Sequence, residues 1–165
     1  MAGVALTRTV ETVFASFDHH ATGMPVLDAQ GDFRRARRRH ALSQISHWVR
    51  RQGDRARPRT LADGAVMPGS ARRLEVVPIG CIVGTLEPTP HFDARFRPAS
   101  EMVRRRWERI ALAHRRGEPL PPIDLVQRGD GYYVVDGRHR VSVASALGHP
   151  DIDAWVTGRQ PPSCT

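Results

Sequence analysis

One stretch of sequence decides the fold: residues 132–144 have the sequence YYVVDGRHRVSVA. It opens with four β-branched or aromatic residues, which favour a buried strand. Gly137 then permits a sharp change of direction, and the apolar residues that follow are typical of a short helix. The stretch therefore predicts a strand, a polar turn over Asp136–Arg140 and a helix over Val141–Leu147.

The polar turn carries groups that bind anions. The first N–H groups of a helix have no partner within the helix and lie at the positive end of its dipole, so they attract phosphate. Gly137 allows close approach of the backbone, while Arg138 and Arg140 offer forked donors suited to phosphate oxygens. Asp136 is expected to cap the helix or to hold a magnesium-bound water. His139 is expected to add a donor whose charge responds near neutral pH. The alternative is a surface turn whose arginines pair with acids.

The surrounding residues predict further strands and helices. A hairpin is indicated where Arg128-Gly129-Asp130-Gly131 joins two β-rich runs. Ser100 is a suitable N-cap for a helix that ends near Arg116. The predicted strands are Leu74–Ile79 with its continuation Cys81–Val83, Ile123–Gln127, Tyr132–Val135 and Ile152–Val156. These elements predict an α+β domain over residues 74–156, followed by a loose tail at residues 157–165.

The N-terminal part, residues 1–73, is predicted to be a basic helical arm. Its strongest segment is a helix over Phe33–Gln52, capped by Asp32. Six apolar residues recur at helical spacing and predict a buried stripe: Phe33, Ala36, Ala41, Ile45, Trp48 and Val49. Four arginines fall largely outside this stripe and are candidates for contact with nucleic-acid phosphates, with a solvated arginine face as the alternative: Arg34, Arg35, Arg38 and Arg39. Residues 53–73 contain glycines and prolines and are predicted to be a linker.

Charge is distributed unevenly along the chain. The net charge is +8, all 25 basic residues are arginine, and lysine and asparagine are absent. Because the codons of both missing residues are rich in A, part of the arginine content reflects a GC-rich genome. Residues 1–73 hold 13 arginines against 6 acids, a net of +7, whereas residues 74–165 hold 12 against 11, a net of +1. This asymmetry favours an electrostatic role for the first half.

Composition also excludes several classes of protein. No run approaches the length of about 18 apolar residues that a membrane span needs. Two distant cysteines, Cys81 and Cys164, argue against a disulfide framework or a zinc site. The absence of lysine excludes P-loop ATPases and enzymes that use a Schiff base or a lysine nucleophile. A cytoplasmic location is expected.

The pattern V-x-D-G-x-H-R over Val134–Arg140 resembles the ParB N-terminal domain and its sulfiredoxin-like relatives. A short helix, Leu147-Gly148 and a closing strand follow it in the expected order. The upstream features of the resemblance are Val76-Val77-Pro78-Ile79, the helix Glu101–Arg116 and Leu120-Pro121-Pro122-Ile123. The resemblance covers residues 74–156. It implies a ParB/sulfiredoxin-like small mixed sheet with packed helices, in a bacterial protein of the chromosome-partitioning type, preceded here by the basic arm.

The resemblance implies that Asp136 and Gly137–Arg140 hold the phosphates of a nucleotide, CTP or ATP, together with Mg²⁺. ParB proteins use the matching turn for CTP, and a free-serine kinase branch uses it for an adenine nucleotide. Sulfiredoxins carry a catalytic cysteine in this turn, where this chain has Arg138 or His139, so sulfinic-acid repair is not expected. The ParB glutamine-proline-arginine box is replaced by TPHFDARFR at residues 89–97. No helix-turn-helix domain follows residue 156, so sequence-specific operator binding of that type is not expected.

Three functional hypotheses remain open at this point. The first is a nucleotide-switched protein that associates with DNA without reading its sequence, with a homodimer among the expected assemblies. The second is a small-molecule phosphotransferase in which Asp93 or Glu101 activates an alcohol. The third is a non-catalytic module that binds DNA or a protein. Nuclease activity is not expected, because the sequence lacks a constellation of paired carboxylates and lysine.

Overall fold

The computed structural model describes residues 21–50, 57–61 and 71–158. Cys164, the tail beyond Gly158 and most of the predicted linker lie outside the described residues, as do the side chains of Trp48 and Val49. The helices are α1 (Pro25–Arg50), α2 (Arg104–Arg115) and α3 (Arg138–Ala146), and two 3-10 turns span Ile79–Cys81 and Glu101–Val103. The strands are β1 (Arg59–Thr60), β2 (Arg72–Pro78), β3 (Ile82–Thr85), β4 (Ile123–Arg128), β5 (Gly131–Asp136) and β6 (Asp151–Thr157).

The six strands form one mixed sheet in the order β1-β3-β5-β4-β6-β2. The pairs β4–β5 and β2–β6 are antiparallel, whereas β1–β3, β3–β5 and β4–β6 are parallel. The predicted α+β class, with a small mixed sheet and packed helices, is therefore confirmed, and so is the β4–β5 hairpin. The prediction that Cys81–Val83 continues the preceding strand is wrong. The 3-10 turn separates the two, and β3 lies beside β5, far from β2 in the sheet order.

The core consists of two layers of apolar side chains. The first lies between α3 and the sheet and is built from Val141 together with strand residues, among them Val77, Ile123, Leu125, Val134 and Val156. The second lies among the three helices, where the rings of Phe33 and Trp107 meet edge to face at 5.5 Å between centroids. The Trp107 indole N–H donates to the buried Ser142 hydroxyl of α3 at 2.9 Å, which ties α2 to α3. The prediction that Trp107 is a core residue is confirmed.

Helix α1 differs from its predicted form at its start and in its apolar stripe. It begins at Pro25, a residue whose fixed φ suits the first helical position, and it continues through Gly31. Asp32 is therefore not an N-cap; it is buried within the helix, where it accepts a hydrogen bond of 2.7 Å from Arg115. The predicted apolar stripe is wrong at Ala41 and Ile45, because both are exposed, Ile45 by 61 %.

The segment predicted as an arm takes part in the domain. Ala29, Phe33 and Ala36 of α1 lie in the helical layer of the core. Further along the chain, β1 extends the sheet by pairing with β3. Among the described residues, no helix is both long and apolar enough to cross a membrane.

Candidate phosphate-binding site

The polar turn is shorter in the structure than the sequence predicted. Strand β5 continues to Asp136 and α3 already begins at Arg138, so Gly137 alone joins them. Gly137 has a φ of +101°, a conformation that side chains disfavour. A Cβ at this position would lie 2.7 Å from Ile123 Cβ, and closer still to Ile123 Cγ2. A glycine is therefore required by both conformation and space, and it places the first N–H groups of α3 at the end of a central strand.

A cavity of about 260 Å³ opens beside this junction. Its walls come from α2, from the β3–α2 loop and from the start of α3: Thr89, His91, Phe92, Arg106, Ile110, Asp136, Gly137, Arg138, His139 and Arg140. The five turn residues predicted to bind phosphate thus line one cavity, together with two cationic or titratable groups from elsewhere in the chain. Its volume is slightly below the range typical of drug-sized ligands, so it suits a phosphate-bearing part of a larger molecule.

The pKa of His139 reflects the burial and the charges of the cavity wall. Burial, and then the charges of Arg106, Arg138 and His91, lower its pKa from 6.5 to about 4, against an opposing effect of Asp136. The prediction that His139 changes charge near neutral pH is therefore wrong for the ligand-free protein. Its imidazole packs edge to face on Phe92, with centroids 5.2 Å apart. His139 is neutral at pH 7 in a wall where cations predominate.

Arg140 makes internal hydrogen bonds that the sequence did not predict. Its Nη1 donates to the carbonyl oxygens of Pro121 and Pro122, the latter at 2.8 Å, and its Nη2 donates to Asp136 Oδ2 at 2.7 Å. The side chain is 13 % exposed. Arg140 thus fastens the connector before β4 to the end of β5. Its guanidinium therefore serves mainly to position the cavity wall, because these donors are already bonded to protein acceptors.

Of the arginines in the cavity wall, Arg138 and Arg106 have the fewest hydrogen bonds and ion pairs with other groups of the protein. Arg138 Nη2 lies 3.4 Å from Glu87, whose side chain is 75 % exposed, and exposed pairs of this kind contribute little. Arg106 is exposed at the surface end of the cavity. These two side chains can turn toward an anion at small cost.

Asp136 does not cap α3, since Gly137 is the N-cap and no side chain bonds the first amides. Its carboxylate is 63 % exposed and pairs with Arg140. Of the described residues that line the cavity, it alone is a carboxylate, and no three described His, Cys, Asp or Glu side chains are grouped to hold a metal. Mg²⁺ is commonly held by one or two carboxylates plus the phosphates of its ligand, and Asp136 fits that mode.

The two predicted catalytic carboxylates lie away from the cavity. Asp93 is buried, and each of its oxygens already accepts two hydrogen bonds. Oδ1 accepts from the amides of Arg95 and Arg97, both at 2.9 Å. Oδ2 accepts from Arg97 Nε at 2.7 Å and contacts His40 Nδ1 at 3.0 Å. Asp93 is thus an anchor for its loop. Glu101 is 62 % exposed and lies 3.5 Å from Arg37 on the outer side of the helices.

The four arginines predicted to contact nucleic acid are not equivalent. Arg34 and Arg38 are exposed and one helical turn apart. Arg35 is paired with Asp32, and the main-chain carbonyl of Arg39 accepts a hydrogen bond from Arg97. Arg39 is also exposed, so three of the four predicted arginines lie at the surface, and Arg34 and Arg38 are the two of them that share one face of the helix.

Three polar residues of the cavity were not predicted from the sequence: Thr89, His91 and Arg106. Thr89 and His91 belong to the loop at residues 89–97, for which the predicted resemblance offered no matching motif. Arg106 belongs to a run of three arginines, and in a chain with 25 arginines such a run carries no signal. Only the packing of α2 against α3 brings it to the turn.

These features define a small α+β domain with an electropositive cavity at a strand–helix junction. No family model matches the chain, and no curated protein matches it. Among solved structures, the chain is similar to sulfiredoxin from Arabidopsis thaliana, with 21 % identity and a TM-score of 0.38, over 55 % of this chain and 88 % of that one. A similarity this distant does not bear on activity.

Proposed function

We propose that the cavity at the start of α3 binds the phosphate groups of a nucleotide, and that the chain is a ParB-like nucleotide-binding domain. The observation that carries the proposal is the convergence of Arg106, Arg138 and the free amides of α3 on one cavity. After burial, the charges of Arg106 and Arg138 are the main causes that lower the pKa of His139, and these same charges favour an anion in the cavity. Mg²⁺, if bound with the nucleotide, would be held by Asp136 and would neutralise phosphate charge.

Binding is favoured over phosphotransfer. The acceptor hydroxyl of a phosphotransferase needs a base within hydrogen-bond reach. Asp93 is used by four internal hydrogen bonds, and Glu101 pairs with Arg37 and does not line the cavity. A domain that binds a nucleotide without rapid turnover suits a switch, in which occupancy changes a binding surface.

The test measures thermal unfolding of the full chain with pyrophosphate and with each nucleoside triphosphate, with and without Mg²⁺. A ligand at about 100 times its Kd stabilises the folded state by about 2.7 kcal/mol. Loss of one charge-assisted contact in Arg138→Ala is expected to weaken binding by about 10- to 100-fold. Arg106→Ala should act in the same direction.

Arg105→Ala is the matched control. Arg105 is exposed, adjoins Arg106 on α2 and does not line the cavity. This variant should keep the full ligand-induced stabilisation. The proposal fails if no phosphate compound stabilises the wild type, or if Arg138→Ala and Arg105→Ala respond alike.

We also propose that Arg34 and Arg38 contact the backbone of a nucleic acid. Their exposure and their spacing of one helical turn support this second role. Each phosphate neutralised adds about 0.9 to the slope of log affinity against log salt. The double variant Arg34→Ala/Arg38→Ala should therefore reduce that slope by close to two for duplex DNA of any sequence. An unchanged slope would assign DNA binding, if found, to another surface.

A further inference from the structure

A second cavity, of about 250 Å³, lies on the other side of Arg140. Its walls include His114 from the last turn of α2, His149 from the turn before β6, and the carboxylates of Glu118 and Asp151. The two imidazoles converge by the same atom: His114 Nε2 lies 2.6 Å from His149 Nε2, with the rings nearly perpendicular at 86°. Neither the fold nor the phosphate site explains why two histidines 35 residues apart meet in this way.

Both histidines are held by well-packed elements. His114 follows the buried Ala111 by one turn of α2. The amide of His149 donates to Ala144 at 3.0 Å, which fixes its backbone to the end of α3. The short contact between the two Nε2 atoms is an N–H···N hydrogen bond, in which one Nε2 holds the proton and the other accepts it. When the donor ring takes its other tautomer, with the proton on Nδ1, both Nε2 lone pairs face the same point and can bind one Lewis acid.

We propose that His114 and His149 form an exchangeable binding site for a borderline divalent transition-metal ion such as Zn²⁺, with both Nε2 atoms as ligands. Zinc–nitrogen bonds of 2.0–2.1 Å place two nitrogens about 3.3 Å apart in a tetrahedral site. The pair must therefore open by about 0.7 Å from its separation of 2.6 Å, which a side-chain rotation of the exposed His149 supplies.

The remaining ligand positions go to water or to a carboxylate of the cavity wall. Among the described residues, no third His, Cys, Asp or Glu stands in position with the pair. Glu118, which is 53 % exposed and 3.6 Å from Arg116, is free enough to turn toward the ion. Two protein ligands, with the other positions open to water, give a site that exchanges its metal, and the usual order of divalent ions predicts Cu²⁺ as the tightest. Mg²⁺ prefers oxygen ligands and should not compete.

The experiment titrates the full chain with ZnCl₂ by calorimetry and follows the histidine ring nitrogens by NMR. One Zn²⁺ per chain is expected, with coordination shifts confined to the Nε2 atoms of His114 and His149. His114→Gln and His149→Gln should each weaken binding at least about tenfold, because one fixed nitrogen remains. His91→Gln, which alters a histidine of the other cavity, should bind Zn²⁺ as the wild type does.

The NMR readout keeps the test decisive if a variant unfolds. The proposal is overturned if no saturable Zn²⁺ binding occurs below about 1 mM. It is equally overturned if Zn²⁺ binds without shifting both Nε2 resonances, or if the double variant His114→Gln/His149→Gln binds as tightly as the wild type. Arg138→Ala leaves both histidines in place, so failure of the zinc proposal is distinguishable from failure of the phosphate proposal.

Discussion

Replacing Gly137 with alanine tests the junction on which the candidate site depends. The substitution adds one methyl group at a φ of +101°, where it meets the Ile123 side chain, 2.7 Å from Cβ. Gly148→Ala supplies a matched control. Gly148 ends the same helix with a φ of +79°, but a Cβ there meets nothing within 4 Å. The two variants share the backbone strain and differ in the steric overlap.

The free energies of unfolding of the two variants should therefore differ. Left-handed backbone strain costs an L-residue about 1–2 kcal/mol, and this is the whole expected loss for Gly148→Ala. Gly137→Ala adds an overpacking cost of about 1–3 kcal/mol, because Ile123 is fully buried and has no space into which to retreat. Its total loss should reach about 2–5 kcal/mol.

Urea unfolding followed by circular dichroism measures both losses. With a denaturant slope of about 2 kcal/mol/M, an extra 2 kcal/mol lowers the midpoint of Gly137→Ala by about 1 M below that of Gly148→Ala. Equal midpoints for the two alanine variants would refute the argument, since they would show that the β5–α3 junction has room for a side chain. At temperatures where Gly137→Ala stays folded, phosphate-dependent stabilisation should be weakened, because the displaced backbone no longer presents the first amides of α3.

Three further predictions concern groups in and around the site. An NMR titration of His139 should give a pKa near 4; since the folded pKa lies below the unfolded one, stability should fall as pH drops from about 6.5 to 4, and it should fall less in His139→Gln. Sulfate, whose charge is constant over this window, should bind more tightly at about pH 5 than at pH 8 if it contacts the imidazole, and pH-independent binding would contradict that contact. Asp93→Ala should cost about 3–5 kcal/mol in urea unfolding, because it leaves the Arg97 guanidinium half-buried without its anion; Asp93→Asn, if folded, should keep phosphate binding, and a loss of binding there would restore a role in the site. Trp107→Phe should cost at least about 1 kcal/mol through the lost bond to Ser142, and a second change to Ser142→Ala should then add little, as a double-mutant cycle can show.

The sequence predicted the parts of the fold that depend on local patterns. The hairpin around Gly129, the cap at Ser100 and the closing strand all follow from turn chemistry or β-branched runs, and they stand within a few residues of their predicted limits. The start of helix α1 could not be placed correctly, because Asp32 suggested an N-cap. Its true start depends on Pro25 and on the packing of Ala29 against α2.

Only the part of the candidate site that is contiguous in sequence could be predicted. Gly137–Arg140 could be found because the strand, the glycine and the helix are consecutive in sequence. The wall supplied by Arg106 and His91 arises from tertiary packing, which no local pattern encodes. Tertiary packing also explains why Arg140, predicted as a phosphate ligand, instead positions the cavity wall. Its partners are carbonyl groups of Pro121 and Pro122, and backbone acceptors leave no trace in side-chain composition.

Arg140 borders both cavities and is bonded to the connector between them. If a ligand of one proposed site drew Asp136 away from this guanidinium, the wall of the other cavity would change shape. Thermodynamic linkage would then make the effect mutual: a metal at the histidine pair and an anion at the α3 amides would each change the affinity for the other by the same factor.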